Sequence, residues 1–210
     1  LVKLDRGDKK LPGRAAIALF QAYVKNDVFD TVPPDALAPN IALIAELIKD
    51  ESVPPEVVDN LVPVLRAVGG PQCFDQLVAM IGLPHKGKFK YIVSRSALRC
   101  GGAKSIPQVV KSLPDAGTYQ QNQLAGTVVE EIAKMSPKDQ VQEALRALLK
   151  DKSTVAKWVA IESLAAMKSV EDAPKIAALS GNKERLSGYW GEDAGKPDPT
   201  LGVRAKELAA

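Results

Sequence analysis

In the segment STVAKWVAIESLAAMKSVEDAPKIAAL, Trp158 stands four residues before Glu162, a spacing that puts both on one face of a helix. An aromatic surface beside a carboxylate is the kind of pairing from which a catalytic site could be built. Other chemistry is harder to assemble. Metal binding needs several converging ligands, and the chain holds a single histidine, His85, in the loop GLPHKGK. His85 reads as a solvated loop residue, so neither a metal nor a cofactor is expected. It neighbours no serine motif that would make it the base of a nucleophilic pair, and GLPHKGK lacks the spacing of a phosphate-binding loop. The stretch CGGAKS could offer amides to an anion at a helix start, but capping explains the same glycines.

Two cysteines complete the reactive inventory. Cys73 falls at the start of one expected helix and Cys100 at the end of its antiparallel partner, which brings them to the same end of one hairpin. That geometry allows a disulfide of roughly 3 to 4 kcal/mol by loop-closure entropy. Such a bond would imply an oxidising, extracytoplasmic compartment such as a bacterial cell envelope. The alternative is a pair of buried thiols acting as small hydrophobes.

The elements that must position these groups are helical. Of 210 residues, 46% are hydrophobic and only 5% aromatic, which favours closely packed Ala-, Leu- and Val-rich helices over a sheet sandwich. No run approaches the roughly 18 to 20 apolar residues of a membrane-spanning helix, and LVKLDRGDKK has no apolar secretion core. The net charge of +3 is small for a dedicated nucleic-acid binder, though unevenly spread. Residues 27–66 carry 8 acidic and 2 basic side chains, whereas residues 67–112 carry 7 basic side chains against Asp75 alone. Alternating fields of this kind steer a protein partner or keep faces solvated.

An internal repeat organises the chain. AELIKDESVPPEVVDNLVPVLRAVGG, starting at Ala45, parallels RALLKDKSTVAKWVAIESLAAMKS, starting at Arg146. Breaks at Gly69, Gly101, Ser136 and Ser169 are spaced by 32, 35 and 33 residues. The pattern predicts first helices at about 37–49, 71–81, 103–113, 138–149 and 170–179. It pairs them with second helices at about 55–68, 88–100, 118–135, 154–168 and 201–209, and leaves 14–25 as the second helix of a preceding unit. Ser136 is expected to cap the helix that follows Pro137, with Asp139 completing a variant capping box.

The second helices resemble those of the HEAT-like (armadillo-type) repeat family. In AKWVAIESLAAMK, Lys157 occupies the family's basic position, Ala160, Glu162 and Leu164 are in register, and Met167 closes the pattern; LAGTVVEEIAKMS aligns through Glu130 and Ile132 without the basic residue. The resemblance covers essentially the whole chain and implies an all-α, right-handed superhelix (solenoid) of about five to six stacked hairpins. It treats 1–210 as one repeat domain with an inserted loop at 180–200, open to continuation before Leu1, which is not Met and lacks cap character.

Within that family, di-iron hydroxylases use several His-Glu pairs, none of which occurs here, and DNA glycosylases present a Trp and a carboxylate on the inner face. Trp158 and Glu162 could fill the latter role. The repeat pattern nevertheless places a Glu there regardless, with Glu130 in the neighbouring unit, and a Trp can simply cover an apolar groove.

Partner binding is the reading preferred. Lys88, Tyr91, Arg95 and Arg99 are spaced 3, 4 and 4 apart and share one helical side. The resemblance puts second helices on the concave face. The long loop SGNKERLSGYWGEDAGKPDPT carries Tyr189 and Trp190, side chains typical of interface anchors; they could equally cap the open end of the array. The expected function is a non-enzymatic scaffold that binds another protein through the concave face or the 180–200 loop, with Trp158 as a further contact. Nucleic acid is not expected as a partner; the alternative reading is a HEAT-like DNA glycosylase or other nucleic-acid-binding enzyme.

Overall fold

The computed structural model describes residues 41–51, 53, 55–83, 89–113, 119–185 and 200–209. The proposed helix 14–25, His85, Lys88, Tyr189 and Trp190 lie outside them. The described residues are all-helical, with one isolated β-bridge between Arg185 and Thr200. The chain divides into two compact units, Leu1–Cys100 and Gly101–Ala210.

In the first unit, α1 (Ile41–Lys49) packs on α2 (Pro55–Gly69). A 3₁₀ turn, Gly70–Cys73, leads into α3 (Phe74–Met80), and α4 (Phe89–Gly101) follows. Ile48, Leu61, Leu65, Leu77, Phe89 and Leu98 are among the buried side chains, all at helical spacing within their elements.

The second unit repeats the same grammar. A 3₁₀ turn, Gly102–Ser105, opens α5 (Ile106–Lys111), followed by α6 (Tyr119–Lys134), α7 (Lys138–Leu148) and α8 (Thr154–Ala166). Another 3₁₀ turn, Val170–Asp172, opens α9 (Ala173–Ala177), and α10 (Leu201–Ala209) ends the described residues. Both α5 and α9 carry a proline in their first turn, Pro107 and Pro174, where a missing N–H leaves no intrahelical bond unmade. Each hairpin is closed by direct packing: α5 on α6, α7 on α8, α9 on α10. Neighbouring hairpins also touch element by element, with α8 lying against both α6 and α10, and α5 against α7.

Local chemistry explains the punctuation. The recurring Lys-Asp at the end of a first helix has a purpose at Asp151, whose Oδ1 accepts the Ser153 amide at 2.8 Å. Ser153 in turn caps α8 by accepting the Ala156 amide on its hydroxyl at 3.2 Å. Helix α8 ends in a Schellman motif: the Ser169 amide reaches Leu164 O at 3.0 Å and the Lys168 amide reaches Ala165 O at 2.9 Å. The residue in the left-handed position is Lys168, at φ 55°, where glycine would ordinarily sit.

The cap expected at Ser136 does not form. The N-cap of α7 is Pro137, in extended conformation and without a side-chain cap, because the helix starts one residue later than the capping box requires. The expected disulfide is also absent. Cys73 and Cys100 are both free thiols. Cys73 is fully buried and its Sγ donates to Leu65 O at 3.3 Å, so it behaves as the small core side chain of the alternative reading. The compartment inferred from the disulfide loses its basis with it.

Candidate partner-binding surface

Helix α8 decides the standing of the Trp158–Glu162 pair. It is apolar around nearly its whole circumference, with Val155, Val159, Ala160, Ile161 and Leu164 all buried, because it lies among α5, α6, α7 and α10. Trp158 is 7% exposed and belongs to this core. Glu162 is at the edge of it, and its carboxylate is held by Arg204 from α10. Arg204 Nε donates to Oε1 at 2.5 Å and Nη2 to Oε2 at 2.9 Å, a two-point fork with side-chain exposures of 23% for Arg204 and 13% for Glu162. A third guanidinium nitrogen, Nη1, reaches Glu207 Oε2 at 3.1 Å. Both carboxylate oxygens of Glu162 are therefore engaged in joining two second helices.

A larger polar cluster was not foreseen from sequence. Asp172, fully buried, accepts Arg146 Nε on Oδ1 at 2.7 Å and Nη2 on Oδ2 at 2.9 Å. It also accepts the Ser169 hydroxyl at 2.8 Å and Lys175 Nζ at 2.6 Å. Arg146 further contacts Glu171 at 2.6 Å, and Gln142 Nε2 donates to Ser169 Oγ at 2.9 Å. The Arg146 guanidinium, helped by Lys175 and Ser169 and opposed by burial, holds the Asp172 carboxyl well below the usual carboxylate range. The cluster fastens α7 to the turn that begins the next hairpin. Its members lie up to 33 residues apart, from Gln142 to Lys175, and no local pattern announces them.

At the base of the 180–200 loop, Lys157 Nζ approaches Glu184 Oε2 at 3.1 Å. Burial acts to raise the Glu184 pKa and is outweighed by hydrogen bonds from Lys157, Asn182 and Thr154, so the net direction is down. Main-chain bonds complete the closure: Leu201 N to Glu184 O at 2.8 Å and Gly202 N to Asn182 O at 3.0 Å. A β-carbon on Gly202 would stand 2.5 Å from Ser180 O and 2.6 Å from Asn182 O, so this contact admits only glycine.

On α4, Tyr91 is half-buried while Arg95 and Arg99 are exposed, with Lys90 exposed beside them. The stripe thus presents two arginines at a four-residue spacing on the first unit, whereas Trp158 and Glu162 belong to the second. The thiol of Cys100 is pushed up to about 11 by burial first and by the Cys73 thiol second, against the lowering influence of Arg66. Burial raises the Cys73 thiol as well. Among the described residues no group of three or more His, Cys, Asp or Glu side chains converges as a metal site, and no helix is long and apolar enough to cross a membrane. An open hollow of about 420 Å³ beside α9 and α10 is lined by Ala177, Ser180, Lys206 and Ala209, of which Lys206 alone is charged.

Compared with known proteins, the chain matches no family model, no curated protein and no solved structure.

Proposed function

We propose that the chain is a non-catalytic protein-interaction module, a right-handed stack of HEAT-like hairpins that displays a rigid surface to another protein. The observation that carries this reading is the commitment of α8. The helix with the best catalytic pairing in the sequence spends Trp158 on packing and both oxygens of Glu162 on Arg204. The stacking is supported by second helices α6, α8 and α10 meeting in order while α5 meets α7, the contacts a hairpin array makes. Recognition would fall to the exposed side of α4, with Arg95 and Arg99 engaging acidic groups of the partner around Tyr91.

The test is site-specific photo-crosslinking from a benzoylphenylalanine placed at Tyr91 in the full chain, in cells that make the protein naturally. A discrete adduct that disappears with Arg95→Glu and Arg99→Glu is the expected result. Absence of any adduct would overturn the assignment. Release of bases from alkylated duplex DNA, abolished by Glu162→Gln, would replace it with the glycosylase alternative.

A further inference from the structure

Two features of the turn after α8 run against stability. Lys168 sits at φ 55°, a conformation that costs a non-glycine residue about 1 to 2 kcal/mol and that glycine would adopt freely. Two residues on, Val170 is 83% exposed, the most exposed large apolar side chain among the described residues. Strain retained at a turn, together with an apolar side chain left in water, points to a surface selected for something other than stability.

The neighbouring turn supplies the same chemistry. Gln142 bonds to Ser169, and α6 packs along α8, so the turn from Lys134 to Lys138 lies beside the turn from Met167 to Val170. Lys134, Pro137, Lys138 and Lys168 are all exposed there, and Met135 is half-buried. Lys138 Nζ reaches the Ala133 carbonyl at 3.5 Å. Of the nearby carboxylates, buried Asp172 and exposed Glu171 are both held by Arg146, and Asp139 is exposed beside Lys138. The result is an exposed edge that carries three lysines and an exposed valine.

We propose that this edge docks on an anionic lipid bilayer, with Val170 entering the interfacial region and Lys134, Lys138 and Lys168 meeting the headgroups. A peptide partner would be better served by a groove, whereas these side chains project from turns. Exposed lysines beside an exposed apolar residue match the charge and polarity profile of an anionic membrane surface. This inference is independent of the protein-binding face on α4.

The full chain would be sedimented with vesicles of phosphatidylcholine containing about one third phosphatidylglycerol, and with pure phosphatidylcholine vesicles, at low and physiological salt. Binding is expected only to the anionic vesicles and is expected to weaken with salt. Lys168→Gly should weaken it about fivefold, the worth of one lysine near such a surface, while leaving the fold at least as stable; Val170→Ser should weaken it several-fold without salt dependence. No binding at low salt, equal binding to both vesicles, or binding unchanged in both variants would overturn the proposal. So would binding to polyglutamate in preference to anionic vesicles, which would assign the edge to an acidic protein instead.

Discussion

Arg204 grips Glu162 across 42 residues of sequence, two nitrogens on two oxygens at 2.5 and 2.9 Å, and so ties α10 to the central helix α8. Because the pair is mostly shielded, removing one member strands the other. Arg204→Ala should destabilise the chain by about 1 to 3 kcal/mol, read as a shift in urea midpoint. Arg204→Lys should recover little, since an ammonium cannot reproduce the fork. A catalytic Glu162 would show instead as lost activity at unchanged stability.

Asp172 makes stability depend on acid. Its carboxyl is held below the ordinary range in the fold, chiefly by Arg146, so the unfolded chain binds the proton more readily. The stabilisation is present in full above the ordinary carboxylate pKa, and is lost progressively as pH falls below about 4 toward the depressed value. Asp172→Ala should cost about 3 kcal/mol at neutral pH, leaving Arg146 with Glu171 alone. The gap between variant and parent should close as pH drops from 5 to 2 in denaturant titrations.

Helix positions were legible because Leu, Ile and Val recur with the helical period and Gly, Pro and Ser punctuate it. Thus α2, α4 and α8 fall at 55–69, 89–101 and 154–166, within about two residues of expectation. What stayed hidden depends on pairs distant in sequence. Nothing local in Arg204 announces Glu162, and nothing in Arg146 announces Asp172. The cysteines misled for a related reason: hairpin topology brings two positions to one end, but rotation about the helix axis decides whether their side chains face each other, and Cys73 turns its sulfur to Leu65 O. Trp158 reads from sequence chiefly as groove-covering packing with a catalytic platform as the lesser alternative, and the helices around α8 bury it in the core.

The thiols offer a direct check on that correction. With its pKa raised from 9.0 to about 11, Cys100 should be about a hundredfold poorer in thiolate at pH 8 than an ordinary cysteine. Cys73 is raised in the same direction and fully buried. Alkylation by iodoacetamide should therefore be slow in native protein and fast for both thiols in urea without reductant. Since both raised values favour the neutral form, ionisation opposes the fold only as pH climbs above about 9. Resistance to alkylation in urea that yields to reductant would restore the disulfide.

Gly202 and Lys168 should respond to substitution in opposite directions. At Gly202 the space a β-carbon would need is taken by backbone, Ser180 O at 2.5 Å, Asn182 O at 2.6 Å and Asn182 N at 2.9 Å. Backbone cannot swing aside as a side chain can, so Gly202→Ala must push α10 off the 180–182 turn and disturb the Gly202 N to Asn182 O bond. A loss of about 1 to 3 kcal/mol is expected. At Lys168 a β-carbon already strains the left-handed turn, so Lys168→Gly relieves about 1 to 2 kcal/mol in the fold. It also adds about 0.4 to 1 kcal/mol of unfolded-chain entropy, for a net gain between about 0 and 1.6 kcal/mol. Thermal melts of the two variants should bracket the parent, and a Lys168→Gly protein less stable than the parent would mean the lysine makes a folded-state contact worth more than the strain.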